Sequence, residues 1–290
     1  MKWSFPALGT HWWVEIIDNN PNITQLKPGI LIIVQEFEKN YSRFMPTSLI
    51  SSLNNSKALK NAPQELQDML KYSADIHIKT DRVFNITVGS QLEKDGYGQV
   101  KDLSSKIALE TEKHINIDQS LIRLSETTRI DLGGIGKGWL IDKLADYLKA
   151  SGISDFIING GGDIYVASND RQAIKIKIEH PTIVGQSIGT IFIKNGGLAS
   201  SSAQKRKWTT ASGKITHHII NPATNKAQSK LASIHIYAKT TTLADVLATV
   251  FLLIDERKRQ ELSKKFNVSY LAINHDLSFY KSPGFPAEML

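Results

Sequence analysis

The chain has 290 residues, 41% of them hydrophobic, which is enough to bury a substantial core and marks a globular protein. Its 35 Lys and Arg against 28 Asp and Glu leave a formal charge of +7, which favours anionic partners. No cysteine is present, so disulfides, thiolate metal sites and a cysteine nucleophile are excluded.

The basic residues are scattered apart from Lys205-Arg206-Lys207 and Arg257-Lys258-Arg259, so a solvated basic surface is expected and no nucleic-acid partner. The longest apolar run, Val246 to Ile254, is far too short to span a membrane, and Met1 to Pro6 has no hydrophobic signal core. Read as it stands, the chain is expected to be cytoplasmic with no membrane span. It would be periplasmic or membrane-anchored if a leader has been removed.

In chain order, His11 to Ile17 is rich in Trp, Val and Ile and predicts a strand, entered through Leu8-Gly9-Thr10. A helix is expected from about Pro28, with Ile30, Ile33, Val34 and Phe37 on its apolar face, delivering Tyr41-Ser42-Arg43-Phe44 into a polar loop. A second starts at Pro63, with Glu65 in its first turn, and Val83 to Gly89 returns to extended chain. Trp139 to Ala150 repeats apolar residues at helical spacing and stops at Gly152. Strands are expected at 156–158, 164–166, 174–178, 188–193, 233–238 and 268–273, with helices opening at Thr242 and at Glu256. Long strand-rich stretches with inserted helices fit an α+β class better than a strictly alternating one, and with no repeat or long linker one compact domain, 1–290, is expected.

The run Arg129-Ile-Asp-Leu-Gly-Gly-Ile-Gly-Lys-Gly-Trp139 carries the strongest chemical signal. Four closely spaced glycines let backbone approach a ligand, and the helix that follows offers its unpaired N–H groups to an anion such as phosphate. A Walker A loop is excluded, because Asp131 stands at its first Gly and Gly138 replaces the Ser/Thr. A dinucleotide fingerprint is excluded too, because Gly134, Gly136 and Gly138 read G-x-G-x-G. A tight turn without any ligand remains the plainer alternative.

Asp245 and Thr249 lie one helical turn apart on one face and suit a hard cation such as Mg2+. Thr242-x-x-Asp245 also reads as a capping-box variant, which would leave Asp245 serving only its own helix start. His218 has the chemistry of a general base or acid near neutral pH, although a single His beside a strand end is as readily a packed or surface residue. Ser200-Ser201-Ser202 has no nucleophile elbow, and Phe44, Phe84 and Trp139 offer faces on which a planar ring could stack or simply edge the core.

Taken together, Leu8-Gly-Thr10, Ser42-Arg-Phe44 with Ser48, Phe84-Asn-Ile-Thr-Val-Gly89, Asp131 to Gly138, Asn159 to Asp163, Ala199 to Ser202, His218 to Thr224 and Ala244-Asp-Val-Leu-Ala-Thr249 follow one another in the order of motifs of a known family. The chain resembles the ApbE-type flavin transferases, which move FMN from FAD onto a protein threonine, over nearly its whole length. The resemblance implies an ApbE-like (T-fold-like) α+β fold with mixed β-sheets flanked by helices. It implies FAD as substrate, Mg2+ as cofactor and an acceptor flavoprotein with a threonine target as partner.

Carried over residue by residue, the resemblance implies a metal site from the Gly136 carbonyl, the Asp245 carboxylate and the Thr249 hydroxyl, with the Ala248 backbone nearby. It implies FAD contacts from Leu8, Phe44, Val83, Phe84, Asn85, Gly133 and Trp139, with His218 and Ile219 beside the pyrophosphate and His218 as catalytic base. Asn85 and Asn221 replace aspartates usual in the family, which bears on rate more than on binding. An FAD pyrophosphatase giving FMN and AMP, and a catalytically weakened FAD-binding protein, are the alternatives.

Overall fold

The computed structural model describes residues 1–18, 23–96, 107–168, 172–202, 207–209, 215–217, 220–221, 226–227, 229 and 231–290. In chain order come strands β1 (Lys2–Ala7) and β2 (Thr10–Ile16), helices α1 (Ile23–Tyr41) and α2 (Leu49–Ser56), strand β3 (Ala58–Leu59) and helix α3 (Gln64–Lys79). A 3-10 turn at Ile86–Val88 leads into α4 (Gly89–Lys94), followed by β4 (Ile115–Asp118), β5 (Leu121–Leu124) and helix α5 (Gly136–Ala150). Strands β6 (Asp155–Gly160), β7 (Asp163–Ser168), β8 (Ile174–Glu179), β9 (Ser187–Ile193) and β10 (Asn195–Ser202) come next, then the short strands β11 (Lys207–Thr209), β12 (Ile215–His217), β13 (Ile220–Asn221) and β14 (Lys226–Ala227). The chain closes with β15 (Ser233–Ala238), α6 (Thr241–Leu253), α7 (Glu256–Phe266), β16 (Ser269–Ile273), β17 (Phe279–Lys281) and β18 (Ala287–Met289).

The chain divides into two compact units, one of Met1–Glu38, Gly136–Gln204 and Lys230–Leu290, the other of Lys39–Ile135 and Lys205–Ser229. The first is built on an eight-stranded sheet in the order β1-β2-β6-β7-β10-β15-β16-β17. Strand alternation sends Ile157, Ile164, Val166, Leu198, Leu271 and Ile273 to one face, where they pack with Ile178, Ile191, Ile193 and Ala287 of the three-stranded sheet β18-β9-β8. The other face is covered by α5 and α6, so β6 and β7 are buried on both sides and read as near-continuous apolar runs. The second unit carries the sheet β3-β5-β4 and helices α2, α3 and α4.

The class is α+β, as expected. Where the resemblance implied mixed sheets, every strand pair among the described residues is antiparallel, because neighbouring strands are joined by hairpins or by excursions that return in the opposite direction. Among the described residues no helix is long and apolar enough to cross a membrane.

Three local expectations shift. Helix α1 begins at Ile23 rather than near Pro28; Pro28 is exposed, and its missing N–H forgoes one bond close to the helix start. Helix α5 begins at Gly136, inside the glycine run. The segment 83–89 is not extended: Asn85 takes an N-cap conformation, its Oδ1 accepts from Thr87 N at 2.8 Å, and the chain coils into the 3-10 turn and α4. This local cap overrides the strand preference of Val, Ile and Thr.

Candidate active site

The site is built where the N-termini of α5 and α6 meet, within the first unit. Asp142, nearly two turns into α5, accepts from Thr241 N at 2.8 Å, Thr242 N at 2.8 Å and the Thr242 hydroxyl at 2.6 Å, capping α6. Asp245, one turn into α6, reciprocates: its Oδ2 accepts from Gly138 N at 3.0 Å in the first turn of α5. Each helix therefore gives a carboxylate to the positive end of the other, and each satisfies amides that its own helix cannot. Burial pushes the Asp142 carboxyl above its ordinary value of 3.8, and the Thr242 and Thr241 hydrogen bonds oppose the rise.

This contact requires glycine at 138. A Cβ there would lie 2.6 Å from Thr241 O and 2.7 Å from Thr242 Cα, closer than backbone atoms permit. The same geometry decides between the readings of Asp245. Its own helix is capped by Thr240, whose hydroxyl accepts from Leu243 N, so the capping-box reading of Thr242 and Asp245 does not hold. The free phosphate cradle expected of the glycine run is also revised, because the Gly138 N–H is spent on Asp245 and the Gly133 N–H on Asp131 Oδ1, at 2.5 Å.

Asp163 completes the cluster. A two-residue hairpin joins β6 to β7 through Gly161 and Gly162, both at positive φ (70° and 102°) as a type I′ turn needs, and sets Asp163 as the first residue of β7. Its Oδ1 accepts from Ser200 N at 3.2 Å, and its Oδ2 meets the Lys137 ammonium in a close ion pair. Lys137 Nζ stands 3.4 and 3.5 Å from the two Asp245 oxygens. Two nearly buried carboxylates thus share one ammonium, leaving the cluster with one net negative charge. Burial raises the Asp163 carboxyl to about 6, with Lys137 pulling it down and Asp245 adding to the rise.

Thr249, half-buried one turn beyond Asp245, directs its hydroxyl to the Asp245 carbonyl at 3.5 Å, at the limit of a hydrogen bond. Ala248 and Gly136 are buried. Among the described residues, no three His, Cys, Asp or Glu side chains gather as a metal cluster. Asp245, Thr249 and the Gly136 backbone offer oxygen alone, the donor class that fits a hard, partly hydrated cation, and the residual negative charge has the sign such a cation needs.

The remaining residues implied by resemblance fall as follows. Leu8 and Trp139 belong to the first unit; Leu8 sits at φ 49° beside Gly9 in the β1–β2 hairpin, its N–H bonded to Glu38 at 3.0 Å. A non-glycine residue in the left-handed region is held there at some cost, a feature often met at ligand sites. Phe44, Val83, Phe84, Asn85 and Gly133 belong to the second unit. Phe44 is 58% exposed, with the Arg43 guanidinium 4.4 Å from its ring centre, whereas Phe84 and Asn85 are buried. Asn85 also donates to Ala108 O at 2.7 Å, a contact that an aspartate could not make. His218 and Ile219 lie outside the described residues.

Sequence reasoning missed Asp142 and the role of Asp163, though Asp163 closes the Asn159–Asp163 motif. It also missed a buried network in the second unit. Arg43 pairs with Asp131 and reaches Glu93 at 3.7 Å, while Arg129 reaches Glu93 at 3.3 Å. Asp131 in turn holds the Gly133 amide, so Arg43 stabilises the glycine turn from behind.

A glycine-rich helix start, buried carboxylates and a fixed ammonium gathered at one helix junction form an enzyme-like site. The model of the ApbE family matches residues 8–272, and the chain belongs to that family. Among relatives, the FAD:protein FMN transferase of Vibrio cholerae is 24% identical, covering 93% of this chain and 86% of its own. That of Buchnera aphidicola subsp. Schizaphis graminum is 27% identical, covering 96% and 88%. The fold matches the crystal structure of the ApbE protein from Thermotoga maritima (TM-score 0.86, 21% identity, 98% of this chain and 97% of that one). It also matches the flavin transferase ApbE from Vibrio cholerae (TM-score 0.82, 22% identity, 98% and 97%).

Proposed function

We propose that this chain is a Mg2+-dependent FAD:protein FMN transferase, which attaches FMN through a phosphoester to a threonine of an acceptor flavoprotein and releases AMP. Family membership and the names of the relatives support the transferase class. The observation that carries the rest is the Asp245 carboxylate, buried and fixed against the first turn of α5 although it lies 107 residues away in sequence.

In this reading Gly136, Asp245 and Thr249, with the Ala248 backbone nearby, would hold Mg2+, and FAD would meet Leu8, Phe44, Val83, Phe84, Asn85, Gly133, Trp139 and Ile219. The cation supplies charge neutralisation at a diphosphate. The threonine oxygen attacks the FMN-side phosphorus, a new P–O bond forms as the anhydride P–O bond breaks, and AMP departs. His218 accepts the hydroxyl proton. Lys137, held between Asp163 and Asp245, places an ammonium at the helix start.

Incubating the chain with FAD, Mg2+ and an acceptor flavoprotein fragment tests this by mass spectrometry. The expected result is an acceptor heavier by one FMN phosphoester, with an equimolar amount of AMP. An unmodified acceptor beside free FMN and AMP would refute transfer in favour of hydrolysis, and intact FAD would refute both.

A further inference from the structure

We propose that Asp163 is a positioning residue that holds the Lys137 ammonium off Asp245, and that it thereby sets how tightly Asp245 binds a divalent cation. The inference rests on the reading of Asp245 as a cation ligand and adds a control on that ligand.

Lys137 is rooted next to Gly138 on the first turn of α5, and its ammonium stands 3.4 and 3.5 Å from the two Asp245 oxygens. It is a competing cation built into the site. The geometry divides its charge unequally: Nζ is in contact with Asp163 Oδ2 but 3.4 and 3.5 Å from the Asp245 oxygens, beyond a firm charge-assisted hydrogen bond. Asp163 can hold this position because it is itself fixed. It is 2% exposed, follows directly on the Gly161–Gly162 turn, and its other oxygen accepts from Ser200 N on β10. Removing the Asp163 charge shifts the ammonium toward Asp245, whose two oxygens already lie 3.4 and 3.5 Å from Nζ. An ammonium seated on Asp245 takes up the lone pairs and the charge that a divalent ion would use.

Mg2+ titration of the full chain without FAD, by calorimetry and by the Mg2+-induced rise in melting temperature, tests the idea in the wild type, D163N, K137M, D163N/K137M and D245N. The expected results are a Mg2+ Kd weakened about 10–100-fold in D163N, as for other groups that orient a metal ligand, and a tighter Kd in K137M. D163N/K137M should return to within about twofold of K137M alone, because once the lysine is gone Asp163 has nothing to restrain. An unchanged Kd in D163N, or an equal loss in the K137M background, overturns the inference and makes Asp163 a purely structural residue, while Mg2+ binding that depends on Asp245 would leave the reading of that residue standing. Should the wild type bind no Mg2+, or D245N bind it as well as the wild type, the cation reading itself fails and the inference falls with it.

Discussion

Gly138→Ala is the sharpest probe of the helix junction, because it adds one carbon and no charge. The new Cβ would sit 2.6 Å from Thr241 O and 2.7 Å from Thr242 Cα, and both are backbone atoms at the start of a helix, so no side chain can rotate away. The ends of α5 and α6 must separate. Overpacking of this kind costs about 1–3 kcal/mol. Separation also stretches the 3.0 Å bond from Gly138 N to Asp245, and a hydrogen bond to a charged group contributes about 1.5–3 kcal/mol. Alanine's better helix propensity returns about 0.5–1 kcal/mol. The net expectation is a loss of about 2–5 kcal/mol, read from urea denaturation followed by circular dichroism. Asp146→Ala on the exposed side of α5 serves as control, with a change within about 0.5 kcal/mol. G138A as stable as the control would refute the argument, because the helix ends would then not be in contact.

Three further outcomes follow from buried polar groups. Arg43→Ala leaves Asp131 buried without its cation and Glu93 with Arg129 alone; it should cost about 3–5 kcal/mol in the same denaturation assay, and a loss below 1 kcal/mol would speak against a coupled network. Asn85→Asp, although it restores the residue usual in the family, sets a carboxylate oxygen against the Ala108 carbonyl where an amide now donates at 2.7 Å; a destabilisation of about 1–3 kcal/mol is expected, and a gain in stability would contradict it. Because burial raises the Asp142 carboxyl, the native state keeps that proton more firmly than the unfolded chain does. The stability Asp142 contributes is therefore greatest below its ordinary value of 3.8 and is lost as pH rises through the raised value. Denaturation midpoints of wild type and Asp142→Asn should diverge across that window, and a pH-independent difference would rule the effect out.

What the sequence revealed and what it hid follow from how far each interaction reaches. Strands β6 and β7 and helix α6 were legible because burial on all sides writes continuous apolar runs into them. Helix α7 was legible from its own residues: Asp255 accepts from Lys258 N at 3.0 Å as N-cap, and Leu262 is its buried apolar position. Strand β10 was not, although it pairs with both β7 and β15, because Asn195-Gly-Gly-Leu-Ala-Ser-Ser-Ser202 has little β preference and its small residues admit α6 at close range. The Asp142–Thr242 and Arg43–Asp131 contacts span 100 and 88 positions, and no local pattern encodes them. Asp245 lay between: its spacing to Thr249 was visible, but only the fold decides that it caps the neighbouring helix rather than its own.

That exchange of caps bears on how the site handles charge. An unoccupied helix start attracts a phosphate directly, but here the start of α5 already holds a carboxylate, so an anionic ligand would meet a negative group first. The reading proposed for this chain resolves the conflict through charge balance. Asp163 and Lys137 neutralise one another, the α5 terminus stabilises Asp245, and one negative charge remains to be met by a divalent cation. With the cation the cluster carries one net positive charge, the sign a diphosphate needs. On this argument the helix serves the phosphates at second hand, and D245N should weaken diphosphate binding only when Mg2+ is present. Equal weakening with and without Mg2+, read as the Kd for ADP by calorimetry, would mean that Asp245 acts on the phosphates without a cation and would undo the charge accounting.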